Sequence, residues 1–328
     1  MSARALILEL HSRSLRQCRY CYYRALPKAL RPHTALPSGE LCALAIGAAR
    51  AGAFAGIMLS GGEPLLHPDC FDVIAELRAQ QLGVALISDA ESISDAEARE
   101  LARLGIWMLQ PTLLAADAGR HDRLKGEGSF AATLRGMEAL LRAKVPISLS
   151  FVCTSENAEQ WLPVLELAIG MGIERVAFSR LALSSTDETL RRLHPSRAQV
   201  VEALDIAVRC QTLLGLRIEL AIAIPADLRP HALGLAGGTC AAMSPNPGFC
   251  IDPIGRVRNC ALSAEILGDL RTQSWNEVLL AHQTQRRKRS LHVSGHCSGG
   301  CVLSAEHSDG QDPLCAPESA SRERTAST

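Results

Sequence analysis

The chain lacks a net charge. Its 34 Lys and Arg residues balance 34 Asp and Glu over 328 residues, which excludes a nucleic-acid binder held by a general basic field. Long apolar runs are missing too. The best candidates for a bilayer span are broken by Arg50, or by Arg103, Gln110 and Pro111. The one short apolar stretch near the start, Ala5–Leu10, is interrupted by Glu9, and no cleavage site follows, so it is no signal peptide. No internal repeat is visible beyond the strand–helix rhythm described below. The expectation is a cytoplasmic protein with neither nucleic acid nor membrane as a partner.

Apolar residues, by contrast, are plentiful. They make up 47% of the chain, enough for a large packed core, and the length suits about two domains. Twelve cysteines are present. In a reducing cytosol they are poor candidates for disulfides, which leaves metal or iron–sulfur ligation as the first reading.

Apolar β-type runs alternate with amphipathic runs. Strands are expected at Ala5–Leu10, Gly56–Leu59, Val84–Ser88, Ile106–Gln110, Ile147–Val152 and Arg175–Phe178. Helices fall between them and after the last, with Ser38, Ser94 and Ser196 as N-cap candidates and the final helix ending near Leu214. Six β-then-α units imply parallel strands joined by right-handed crossovers, either an open barrel of six or a closed barrel of eight. The fold class is α/β: a partial (β/α)6 TIM-like barrel over residues 1–225. Function then belongs on the loops at the C-terminal strand ends. Past residue 225 the rhythm stops. Pro225, Pro230, Pro245, Pro247 and Pro253 mark a small irregular domain, 226–315, that carries Cys240, Cys250, Cys260, Cys297, Cys301 and Cys315. A region with little regular core usually needs metal staples. Residues 316–328 read as a disordered tail.

Two loops carry the chemistry. Cys18-Arg19-Tyr20-Cys21 follows the first strand, and two thiolates at this spacing can face one metal centre. Gly61-Gly62-Glu63-Pro64 ends the second strand and offers backbone with no Cβ in the way, with Glu63 able to accept from an ammonium. Adjacent parallel strands put both loops on one rim.

Together these loops resemble radical S-adenosylmethionine (radical SAM) enzymes with a C-terminal SPASM- or twitch-type auxiliary cluster domain. Cys18 and Cys21 match the second and third cysteines of a Cys-x3-Cys-x2-Cys loop, Tyr20 its aromatic residue, and residues 61–64 the glycine motif. The resemblance extends to the 120–130 stretch and to Asn157 after the fifth strand. It implies a [4Fe-4S] cluster at the barrel rim with one iron open to the amino and carboxylate groups of SAM. One electron then cleaves the sulfonium, giving a 5′-deoxyadenosyl radical that abstracts a substrate hydrogen. On this resemblance Tyr20, Gly61, Gly62, Glu63, Pro64, Ser88 and Asn157 are the cofactor-binding candidates, and no catalytic residue is assigned.

The chain departs from the pattern at position 14, where the first cysteine belongs and Ser14 stands. A serine alkoxide is a harder, more basic ligand than thiolate. Three readings follow: Ser14 ligates weakly or His11 replaces it; the site holds a damaged or three-iron cluster; or radical chemistry has been lost. Ser88-Asp89-Ala90 and Thr112-Leu113-Leu114 also differ from the family's usual Thr-Asn-Gly and Ser-Leu-Asp type sequences.

The second cysteine set matches in part. Cys240, the Ile251–Val257 hairpin, Cys260, Leu267-Gly268-Asp269-Leu270, a helix near Trp275 and Cys297-Ser298-Gly299-Gly300-Cys301 follow in family order. The further Cys-x2-Cys is absent, since its positions hold Lys288 and Leu291. The expectation is one auxiliary [4Fe-4S] cluster on Cys240, Cys260 and Cys301, with Cys250, Cys297 or Cys315 as fourth ligand. A site including His292 and His296, or zinc, are alternatives. Cys42, Cys70, Cys153 and Cys210 read as ordinary buried cysteines. Arg286–Arg289 reads as a solvated helix end, and His121 with Lys125 as an exposed loop pair.

Two main functions compete: modification of a peptide or small-protein substrate, or a non-catalytic iron–sulfur scaffold that binds a peptide or partner enzyme. A zinc-stapled barrel is the third. The resemblance implies an electron donor such as ferredoxin or flavodoxin, and the early first strand suggests a separate peptide-recognition protein.

Overall fold

A computed structural model describes residues 5–244, 248–292, 300–308 and 310–315. Strands β1 (Ala5–Glu9), β2 (Gly56–Ser60), β3 (Gly83–Ile87) and β4 (Met108–Gln110) pair in parallel and in order. Strands β5 (Ser148–Cys153), β6 (Arg175–Arg180), β7 (Arg217–Leu220) and β8 (Ala236–Gly237) do the same. The two sets meet at parallel bridges between Leu109 and Ile147 and between Thr112 and Ser150. The result is the expected open arc of parallel strands. Strands β7 and β8 extend it past the sixth unit, and both are too short for a sequence period to reveal.

Helices are α1 (Tyr22–Ala25), α2 (Ser38–Ala51), α3 (Cys70–Ala79), α4 (Asp95–Leu104), α5 (Ala118–Lys125) and α6 (Ser129–Arg142) in the first half. They continue with α7 (Trp161–Gly170), α8 (Glu188–Leu193), α9 (Arg197–Leu214), α10 (Trp275–His292) and α11 (Val302–Glu306). Local chemistry sets their ends. Ser94 and Ser196 each cap a helix through a capping box, with Glu97 and Gln199 bonding back. Gly105 and Gly215 end the same helices in the left-handed region, where a side chain would be strained. Ser38 differs from expectation. It is the first helical residue, and its hydroxyl donates to Asp69 Oδ2 at 2.7 Å.

The C-terminal segment does not stand apart from the arc. Strand β9 (Cys250–Ile251) pairs in parallel with β1, and β10 (Arg256–Arg258) and β11 (Ile266–Asp269) follow antiparallel, so one seven-stranded sheet runs β11-β10-β9-β1-β2-β3-β4. Phe249, Trp275 and Phe54 meet edge to face, with ring centroids 4.9–6.4 Å apart, and seat α10 against the first units. Cys42, Cys70, Cys153 and Cys210 are buried among apolar neighbours, as expected.

Three expectations on polar groups change. His121 and Lys125 are fully buried on α5 rather than exposed on a loop. The reason is non-local: Asp89 and Glu91, from the loop after β3, lie 2.9 and 3.5 Å from Lys125 Nζ and neutralise it. Arg289 is no solvated helix end. Its side chain is 10% exposed and pairs with Glu265 and Glu306 at 3.0 and 2.9 Å. Helix α10 also runs on through the basic stretch to His292. Cys297, His296 and the 316–328 tail lie outside the described residues, as does the side chain of His292.

Candidate active site

The loops after β1 and β2 interlock at the C-terminal rim. Gly62 N donates to His11 O at 2.8 Å and Glu63 N to Arg13 O at 2.7 Å. A Cβ on Gly62 would fall 1.8 Å from Arg13 O, and one on Gly61, at φ +115°, 2.5 Å from His11 O. The glycine pair is therefore needed for the contact of two backbones, and the amides of Gly62 and Glu63 are already used there. The cysteine loop is held from the other side as well: Arg19 N donates to Leu124 O at 2.9 Å and the Cys18 thiol to Lys125 O at 3.9 Å.

This rim opens into a cavity of about 1120 Å³. Ser14, Cys18, Tyr20, Cys21, Gly61 and Gly62 line it, together with His11, Asp89 and Arg180. The other sequence candidates lie behind its wall. Glu63 is buried, its carboxylate accepting from Asp89 N at 2.6 Å and Leu65 N at 3.1 Å. Burial and then the neighbouring Asp89 charge push it up to about 7. Pro64 begins the 3-10 turn after Glu63. Ser88 Oγ accepts from Ala90 N. Asn157 has no exposure and cross-braces two loops, donating to Leu114 O and Val152 O and accepting from Thr154. These four shape the rim from outside the cavity.

The donors at the rim differ in kind. Burial pushes the Cys18 thiol up to about 12, reinforced by Asp89 and opposed by Lys125, and burial raises Cys21 as well. Such thiols ionise only beside a strong positive centre. Ser14 is exposed and accepts from Arg16 N at 3.3 Å. His11 is driven down to about 4, mainly by burial, so its ring is neutral. Its Nδ1 accepts from Arg13 N at 2.9 Å, which puts the proton on the buried, unpartnered Nε2. His11 thus turns an N–H, not a lone pair, toward its surroundings.

A second thiol group sits beside the cavity. Cys240, Cys260 and Cys301 share one apolar cluster with Leu262, Val302 and Leu303. Cys260 is pushed up to about 12, by burial first and then by the charges of Cys301 and Cys240. Cys315 is tied to the group through Asp312: its N–H donates to Asp312 O at 2.8 Å, while Asp312 Oδ2 accepts from Cys301 N at 2.7 Å. Cys250 stands elsewhere. It lies in β9, where its sulfur accepts from Arg258 Nη2 at 3.3 Å. Among the described residues, no three His, Cys, Asp or Glu side chains converge on a single metal ion. A four-iron cube places its thiolates on separate irons, so it calls for a wider set than one ion does.

Two buried ion pairs, which the sequence pattern did not signal, tie these cysteines to the barrel. Arg258 Nη2 meets Glu9 of β1 at 2.5 Å, and Nη1 donates to Ala261 O and Ser263 O beside Cys260. Arg180, at the end of β6, pairs with Asp312 and also donates to Ser304 Oγ and Ala223 O. All four side chains of the two pairs are fully shielded from solvent.

Residues 13–168 match the family model of the radical SAM superfamily. This part of the chain is similar to the radical SAM superfamily. The chain is 24% identical over 294 residues to an AdoMet-dependent heme synthase of Methanosarcina barkeri, covering 79% of this chain and 81% of that one. It is 28% identical over 284 residues to a mycofactocin maturase of Mycobacterium ulcerans, covering 79% and 74%. In fold, it is similar to anSMEcpe with bound AdoMet (TM-score 0.73, 17% identity, 98% of this chain and 91% of that one). It is also similar to Streptococcus suis SuiB bound to its precursor peptide SuiA (TM-score 0.74, 13% identity, 96% and 75%). The family match thus covers the strands from β2 to β5 and the two loops that build the rim, and the fold likeness extends over the C-terminal segment.

Proposed function

We propose that the chain modifies a peptide or small protein by radical SAM chemistry, with residues 1–225 as the reaction barrel and 226–315 as an auxiliary-cluster unit. The observation that carries this reading is the convergence of Cys18, Cys21, Tyr20, Gly61 and Gly62 on one large cavity at the C-terminal rim. Relatives that act as maturases and a fold neighbour bound to a precursor peptide support the substrate class. A [4Fe-4S] cluster, when bound, supplies the electron that cleaves SAM. Cys18 and Cys21 fit it as desolvated thiols awaiting a positive centre. Ser14 is the weak third donor in place of a thiolate, and His11 offers no lone pair in its present tautomer. The chain's own part is positioning. Lys125 and Leu124 carbonyls pin the cysteine loop, and Glu63 fixes the loop after β3. Cys240, Cys260 and Cys301, with Cys315 alongside, are the ligands for one auxiliary cluster. An electron donor such as a flavodoxin, and a separate recognition protein, complete the proposal.

Ser14 favours a second reading, a scaffold that binds a cluster and peptide without cleaving SAM. Anaerobic reconstitution separates the two. Iron and sulfide are counted, then SAM and dithionite are added. Release of 5′-deoxyadenosine is expected, and Ser14→Cys should raise both the iron held at the rim and that release. One auxiliary cluster per chain with no SAM cleavage, unchanged by Ser14→Cys, would sink the enzyme reading in favour of the scaffold.

A further inference from the structure

The charge balance of the whole chain hides a local imbalance. Between Glu9 and Glu40 there are six Lys and Arg residues and no Asp or Glu. This stretch forms one wall of the cavity, where Arg13, Arg16, Arg24, Lys28 and Arg31 all line it. Arg16 is neutralised by Glu91 at 2.7 Å, and Arg19, which does not line the cavity, by Glu156. Among the described residues no carboxylate lies within ion-pair distance of Arg24, Lys28 or Arg31. The Arg31 Nε is buried without a hydrogen-bond partner. On the cavity's lining the carboxylates are Asp89, already held by Lys125 at 2.9 Å, and Glu219 on β7.

The wall is fixed in place. Arg256 Nη2 donates to Ala29 O at 2.8 Å, Leu36 N to Pro253 O at 2.8 Å, and Ser12 Oγ to Pro32 O at 2.8 Å. The lining also includes apolar residues from other elements: Leu181 and Ala182, just after β6, and Leu262, in the turn between β10 and β11. A chamber with one cationic wall and one apolar wall selects a ligand with an apolar body and several negative charges.

We propose that the substrate presents at least two carboxylates to Arg24, Lys28 and Arg31, and that they belong to acidic side chains of a peptide. This rests on the cavity being the substrate chamber of the proposed enzyme. The same wall chemistry would take a polycarboxylic porphyrin, and acidic surfaces of an electron-donor protein could reach it from outside, so the experiment carries an arm for each.

The test uses the anaerobically reconstituted protein and three fluorescein-labelled peptides of equal length, alternating Leu with Glu, Gln or Lys, with coproporphyrin as a fourth probe. Anisotropy should show the Glu/Leu peptide binding at least tenfold more tightly than the Gln/Leu peptide, with an advantage that shrinks as salt rises. The triple variant Arg24→Gln, Lys28→Gln, Arg31→Gln should lose that advantage while keeping the parent's circular dichroism and melting temperature. A photo-cross-linker in the Glu/Leu peptide should label the wall of Leu181, Ala182 and Leu262. Equal binding of the Glu and Gln peptides overturns the proposal, as does a triple variant that binds like the parent. Coproporphyrin binding without peptide binding overturns the peptide source. Cross-links confined to the outer face, or displaced by flavodoxin, reassign the wall to the electron donor. No SAM cleavage with acidic-peptide binding intact would defeat the enzyme reading and leave this one standing.

Discussion

The Glu9–Arg258 pair allows a quantitative test of how the cysteine-bearing segment is held. Both side chains are fully buried, 249 residues apart in sequence, at 2.5 Å. Arg258→Met leaves the Glu9 carboxylate without its counter-charge, which costs about 3–5 kcal/mol for a buried pair broken on one side. It also strips Ala261 O and Ser263 O of their donor, adding about 1 kcal/mol for each bond. A total of about 5–7 kcal/mol is half or more of the stability of a typical domain. Glu9 already ionises above its usual range, because burial outweighs the help from Arg258. Without Arg258 it is raised further, and below its folded pKa it simply holds a proton. The loss in Arg258→Met should therefore be smaller at pH 5.5 than at pH 8. Glu9→Leu strands the guanidinium instead. The double variant Glu9→Leu, Arg258→Met removes both charges and should recover most of the loss, leaving about 2 kcal/mol for the two carbonyls. Urea unfolding of the four proteins, followed by circular dichroism at both pH values, gives the coupling energy, the two single losses less the double, expected at about 6 kcal/mol or more. Additive single variants, with coupling below about 0.5 kcal/mol, would refute the reasoning. So would an Arg258→Met loss independent of pH.

Other perturbations report on the rim. Lys125→Met should destabilise by about 3 kcal/mol by leaving Asp89 and Glu91 under-compensated; adding Asp89→Asn should restore part of that, read as a shift in urea midpoint. His121 is depressed to about 3, mainly by burial and then by Lys125. Its folded pKa lies below the unfolded value, so its contribution is whole above pH 6.5 and is lost as pH falls toward 3, by about 5 kcal/mol in all. His121→Gln, which keeps an acceptor for Leu114 N, should flatten that acid limb. Glu63 has the opposite sign: raised to about 7, it favours folding below pH 4.5, and about 3 kcal/mol is lost as pH rises from 4.5 to 7. Glu63→Gln should abolish that slope in pH-dependent melting.

The strand–helix rhythm was legible because each unit carries its own local signals. Ser94 with Glu97 and Ser196 with Gln199 mark helix starts within four residues of sequence, and the apolar strands end at glycines or polar loops. The two rim loops were legible by spacing, and both line the cavity. What escaped was everything set by partners distant in the chain. Glu9 read as a blemish in an apolar run, yet it faces Arg258. Lys125 read as exposed because Asp89 and Glu91 come from another unit. Arg180 and Asp312 lie 132 residues apart. The six C-terminal cysteines look alike in sequence, and only the pairing of β9 with β1 separates Cys250 from Cys240, Cys260 and Cys301.

The pairing of β9 with β1 also sets a timetable for biosynthesis. Ile7 N donates to Phe249 O, and Ile7 and Leu8 register with Cys250 and Ile251. A nascent chain therefore carries the outer edge of its first strand unpaired until about 240 further residues have been made. At about 5–20 residues per second that interval is roughly 10–50 s. Throughout it, an apolar parallel edge with open N–H and C=O groups is available to any other extended chain. A ribosome stalled before Phe249 would leave a product whose strands are all local and correct but whose sheet invites aggregation. Chaperone capture of nascent chains should thus be greatest for those halted between β8 and β9.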